Sequence, residues 1–215
     1  MSGAEKIGQL LSSSVPKDFW LHVEARYLGA LDAARQFGAQ AAPGHRASVV
    51  GTLRHFQLNE AFAAAFEDVG LEYVPVRGNR IVTGVAGPVT MARVHLNKGP
   101  WDNSKRSAGK RKLCERNVEV KQLIQPDFLK SDTYNVQNVT VFLLSVGDGS
   151  AEEPANLFVV VPDEEMDLRN PLFLEPLGVF LQRYAVQDVP QDAAHPRLKP
   201  GIKKNAPPDA SSHGP

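Results

Sequence analysis

Apolar residues recur at three- and four-residue spacing through the first third of the chain and then switch to alternation. From residue 16 to about 40, Trp20, Val23, Tyr27, Leu28, Leu31, Ala34 and Phe37 form one helical stripe. Ser14, Pro16 and Asp18 suit its entry, and Ala42, Pro43 and Gly44 break it. A shorter helical segment over 4–12 precedes it. A third covers 46–68, where Leu53, Phe56, Leu58, Phe62, Ala65, Phe66 and Val69 line a broad apolar face. Its polar face carries Arg54, His55, Gln57, Glu60 and Glu67, and Gly70 stands where a helix ends.

Strands are expected over 71–76, 80–85 and 89–96, separated by turns at 77–79 and 86–88. Pro75 marks the first as an edge strand or one that ends early. Residues 97–104 read as loop, and 109–123 as a polar helix with Leu113, Val118, Val120 and Leu123 as its apolar positions. A strand over 136–146 has a centre, 139–144, apolar enough to be buried on both faces, and 156–161 is another. A last helix is expected over 170–184, with Pro171 in its first turn and Pro176 either bending it or marking a later start. Past residue 188 the Pro-, Ala-, Asp-, Lys- and Ser-rich composition predicts a disordered tail.

The resulting fold class is α+β: a mixed sheet, with a three-stranded meander, then a helix and further strands, N-terminal helices and a C-terminal helix. The domain plan is N-terminal helices over 1–45 packed on the core, an α/β core over 46–187, and the tail over 188–215.

Composition narrows the function classes. Of 215 residues, 24 are basic and 24 acidic, so no global field draws the chain to a polyanion. The single cysteine, Cys114, makes no disulfide within the chain. No run approaches the roughly 20 apolar residues of a membrane-spanning helix, and the N-terminus lacks the apolar region of a secretory signal. The expectation is a soluble, cytoplasmic protein without a membrane partner.

Charge is nevertheless segregated. Between 77 and 121, eleven basic residues face three acids; between 145 and 192, ten acids face two arginines. The basic stretch makes Arg77, Arg80, Arg93, Lys98, Lys105, Arg106, Lys110, Arg111, Lys112 and Arg116 candidate phosphate contacts. Ser104, Ser107 and Asn103 add hydrogen-bond donors, and Trp101 a surface for stacking on a base. Two other readings stand beside this one: a solvated basic face with a separate acidic loop, or two patches that meet each other across a dimer interface.

Other chemistries leave fainter marks. His55 could act as a base but reads as a surface or capping side chain; His95 reads as an ordinary strand position. Cys114 sits among cations that would favour its thiolate if it were exposed. His22, His45, His195 and His213 have no metal-ligand spacing. No P-loop, dinucleotide fingerprint or nucleophile elbow occurs. No catalytic residue, metal or cofactor is assigned.

From residue 46 to 146, the order α-β-β-β-α-β resembles the core of the restriction-endonuclease-like, PD-(D/E)XK, nucleases. That resemblance implies an acid at the start of the second strand and D/E-x-K on the third, holding a metal for phosphodiester cleavage. Here the second strand, RIVTGVAG, has no carboxylate, and the third, VTMARVHLNKG, offers Arg93, His95 and Lys98 but no acid. Glu60 matches only an auxiliary helical acid. The expected function is therefore non-catalytic binding of DNA or RNA through 77–121. The alternatives are a protein–protein adaptor or regulatory partner, or homodimer, acting through the acidic 145–175 segment, and an enzyme of unrecognised type.

Overall fold

The computed structural model describes residues 2–97, 101–124, 138–147 and 155–185. Three helices open the chain: α1 (Gly3–Ser14), α2 (Lys17–Ala39) and α3 (Arg46–Asp68). Strands β1 (Glu72–Tyr73), β2 (Gly84–Ala86) and β3 (Val89–Leu96) follow. A 3-10 turn at Trp101–Arg106 leads into α4 (Ala108–Cys114), and a second at Glu115–Asn117 into α5 (Val118–Ile124). Then come β4 (Val139–Val146), β5 (Asn156–Val161), β6 (Phe173–Pro176) and α6 (Leu177–Ala185). The fold is α+β, with one mixed sheet in the order β1-β2-β3-β4-β5-β6. Only the β3–β4 pair is parallel among the described strands.

Several expected elements change length. The first two strands shrink because Pro75 has no N–H to extend the ladder beyond Val74, whose amide still donates to Thr83 O. Residues 101–106, expected to be mostly loop, form the 3-10 turn, and the single helix over 109–123 is two helices separated by a further 3-10 turn. The last helix begins only at Leu177. Pro176 disfavours helical backbone at Glu175, and Phe173–Pro176 instead pairs with β5 as an edge strand.

The sheet's two faces bury different layers. Val89, Met91, Val141, Leu143 and Val159 pack with Phe19, Trp20, Phe62 and Phe66 of α2 and α3. Ala92, Val94, Phe142, Leu144 and Val160 pack under Cys114 of α4 with Met166 and Leu168. β4 is apolar on both sides because it is covered on both, and Val139 through Ser145 are all buried. At β2 the helix comes so close that a Cβ on Gly84 would lie 2.3 Å from the Phe66 ring. Phe37 and Leu28, counted in the α2 stripe, are exposed, as is Phe56 on α3. None of the described helices is long and apolar enough to cross a membrane. The tail from 188 lies outside the described residues.

Candidate anion-binding site

Side chains alternate along β3, so Val89, Met91, Arg93 and His95 share the face that α3 covers. That face turns from apolar to polar towards the carboxyl ends of the parallel pair. Register places Leu143 beside Arg93 and Ser145 beside His95. On α3, positions 55, 59, 62 and 66 form one inward stripe. Phe62 and Phe66 fill its lower part, and His55 and Asn59 meet Arg93 at the top.

Arg93 is only 4% exposed. Asn59 Oδ1 accepts from its Nε at 2.9 Å and from its Nη2 at 2.7 Å, and the His55 carbonyl accepts from Nη2 at 2.7 Å. Asn59 Nδ2 donates to Arg80 O at 2.9 Å, tying the 77–81 turn to the helix. Arg54 Nη1 donates to Asn97 Oδ1 at 2.6 Å and lies 2.7 Å from His95 Nε2. A guanidinium only donates, so Nε2 accepts and His95 Nδ1 carries its hydrogen to Ser145 Oγ, 2.9 Å away.

Protonation follows from burial. Desolvation, with Arg54 next to it, pushes His95 down to about 4. His55 is also lowered, first by burial and then by Arg93. Burial, reinforced by Arg93, brings Lys110 down to about 8. Beneath them, burial raises the Tyr27 hydroxyl to about 12 against the opposing pull of Arg93. At neutral pH the site thus holds two neutral imidazoles and three cations.

These groups surround a pocket of about 310 Å3, lined by Gly51, Arg54, His55, Leu58, Asn79, Ile81, Arg93, His95, Ser107 and Lys110. No carboxylate is among them. A larger, shallower cleft of about 650 Å3 on the α4 side has Lys105, Arg111 and Lys112 facing Glu115, Glu164 and Glu165. There the charges balance; in the smaller pocket they do not. A cavity with three convergent cations and no counter-ion is built to hold an anion. The chain matches no protein-family model, no curated protein and no solved structure.

The candidate phosphate contacts therefore separate. Arg93 and Lys110 line the pocket, and Arg77 and Arg80 lie exposed on the turn at its rim. Arg111 and Lys112 lie on the balanced cleft. Lys105 pairs with Asp167 at 3.5 Å, and Lys121 with Glu164 at 2.6 Å, so the basic and acidic stretches meet within one chain. Arg116 donates to Thr90 Oγ1 at 3.0 Å, away from the pocket. Arg106 is exposed, Trp101 opens the 3-10 turn, and Lys98 lies outside the described residues. Cys114 departs from the expected thiolate: it is buried against Met166 Sδ at 3.1 Å, and desolvation drives its thiol up to about 12. Its surrounding cations do not offset that burial.

Arg54 and Asn59 were not among the sequence candidates. Arg54 was assigned to the polar face, yet it is 9% exposed, and Asn59 is fully buried. A signal for Asn59 was available: it stands three residues before Phe62 and seven before Phe66, within the inward stripe.

Proposed function

We propose that the protein binds nucleic acid without cleaving it, and that the pocket between α3, β3 and α4 takes a phosphate group. The observation that carries this reading is the convergence of Arg54, Arg93 and Lys110 on a pocket with no carboxylate lining. Arginine forks suit phosphate oxygens, and Lys110 and Ser107 add further donors at the mouth. The pocket also lies beyond the carboxyl ends of two adjacent parallel strands, a common place for ligands in such sheets. The arginines of the 77–81 turn extend the positive surface from its rim.

The α-β-β-β-α-β order behind the PD-(D/E)XK resemblance is kept by α3 through β4. β2 and β3 carry none of the carboxylates which that chemistry needs, and Arg93 and His95 stand on the third strand in their place. The reading is therefore of a nuclease-like scaffold whose metal-holding acids are replaced by anion-holding bases. The acidic 163–167 loop is already engaged by Lys105 and Lys121, which weighs against its serving as an adaptor surface.

The test is an equilibrium titration of single- and double-stranded DNA and RNA at two salt concentrations. Lys110→Met should weaken binding and shrink the salt slope by about 0.9 for a lost duplex phosphate contact. An unchanged affinity in folded Lys110→Met protein would sink the assignment of this pocket.

A further inference from the structure

The pocket does not end at its cationic wall. It shares Gly51, His55 and Asn79 with an adjoining open groove of about 470 Å3, whose remaining lining is Ser48, Thr52 and Phe56. The Phe56 ring is 37% exposed on an otherwise well-packed helix, and its own contact is edge-on with His55, at 5.7 Å between centroids and 68° between planes. Its face is thus left to the groove. Gly51 leaves the passage between the two cavities open, since a Cβ there would meet nothing within 4 Å.

We infer that pocket and groove together hold one nucleotide by its terminal phosphate, with the phosphate among Arg54, Arg93 and Lys110 and the base against Phe56. The inference rests on the phosphate-binding reading above and specifies its ligand. A terminal phosphomonoester carries about −1.5 to −2 charges and three free oxygens, which matches three convergent cations better than the single charge of a bridging phosphodiester. The pocket's shape agrees. β3 forms its floor, while α3, residues 79–81 and the start of α4 wall three sides, so a backbone ends there more readily than it passes through. An aromatic face beside a phosphate pocket is the usual partner of an unpaired base. Asn79, at the junction, has an amide to offer the sugar or base edge.

The source of that group is either the phosphorylated end of a single strand or a free nucleotide, and competition separates them. The intact protein is titrated with one fluorescent single-stranded oligonucleotide in three forms: 5′-phosphorylated, 3′-phosphorylated and with hydroxyls at both ends. A nucleoside monophosphate and inorganic phosphate serve as competitors. One of the phosphorylated forms should bind roughly tenfold or more tightly than the hydroxyl form, as expected for lost hydrogen bonds to charged groups. Phe56→Ala, which alters an exposed ring, should cost about fivefold on that form and leave competition by inorganic phosphate unchanged. Gly51→Leu, which closes the passage while favouring helix, should reproduce the Phe56→Ala loss.

Competition by the monophosphate at concentrations near those of the phosphorylated oligonucleotide would assign the site to free nucleotides. Binding of the monophosphate alone, sensitive to Phe56→Ala, would uphold the inference and overturn the nucleic-acid reading. Equal affinity for all three ends would overturn the inference and leave nucleic-acid binding standing. If neither oligonucleotides nor monophosphate bind to protein with native circular dichroism, both fail.

Discussion

Asn59 on α3 accepts two hydrogen bonds from Arg93 on β3 through one oxygen, at 2.9 and 2.7 Å, and so fixes the guanidinium that forms the floor of the pocket. Helix and sheet meet here through a neutral acceptor, which holds the cation without cancelling its charge.

Asn59→Leu should therefore destabilise the fold by about 3 kcal/mol, because a buried guanidinium loses its acceptor. Asn59→Asp should keep most of the stability, since the carboxylate still accepts, yet it should reduce anion affinity by neutralising Arg93. Urea unfolding and phosphate competition read the two effects separately. Loss of both in Asn59→Asp would show that the amide acts only on packing.

Anion affinity should fall as pH rises through about 8, where Lys110 releases its proton. The direction is fixed by charge: the protonated amine attracts the ligand, and the neutral amine does not. Lys110→Met should bind weakly at pH 7 and lose this pH step. A step that persists in the variant would place the titrating group elsewhere.

Acid should weaken the fold through His95. Folded, it takes up a proton only near pH 4; unfolded, it does so near 6.5. Between those values the unfolded chain binds more protons, so this contribution is whole above pH 6.5 and is lost as pH falls towards 4. The full loss is on the order of 3 kcal/mol. His95→Gln should flatten the dependence of urea stability on pH in that window.

Reversing Arg111 and Lys112 to Glu together should leave the fold intact, because both are exposed. It should reduce nucleic-acid affinity less than Lys110→Met alone, since their cleft already holds Glu115, Glu164 and Glu165. A larger loss in the double reversal would move the phosphate site to the α4 cleft.

At the other end of the sheet, Trp20 Nε1 donates to Tyr184 Oη at 3.1 Å, and Tyr184 Oη donates to Val15 O at 2.6 Å. Tyr184→Phe should cost about 1–3 kcal/mol, because two buried groups lose their partner. Ending the chain at 187 should leave the melting temperature unchanged, since 188–215 offers little apolar surface to bury. A drop of many degrees would mean that this segment docks.

Strand β3 was legible to the residue because Gly87-Pro88 sets a tight turn before it and the polar run after Leu96 ends it. α3 was legible from its long stripe. Less legible was which polar residues of α3 turn inward: Arg54 and Asn59 are adjacent to stripe positions, and only the partners on β3 and at Asn97 make their burial tolerable. Phe37 and Phe56 were misplaced for the converse reason, since a stripe shows that a face is apolar and not how far along the helix a neighbour covers it. The charge segregation was visible, but not the folding of the acidic loop onto α4 and α5 that divides the basic stretch into balanced and unbalanced halves.

The parallel pairing of β3 with β4 also has a temporal consequence. Antiparallel neighbours close through short turns, whereas residues 97–138 must be looped out before His95 finds Ser145. Contacts of such separation form late and slowly. A chain still emerging from the ribosome thus has α3 and the meander well before it has a finished receptor. Ligand capture by a growing or refolding chain would then time the closure of the β3–β4 seam, and proteolysis before that moment should release a fragment with no affinity of its own.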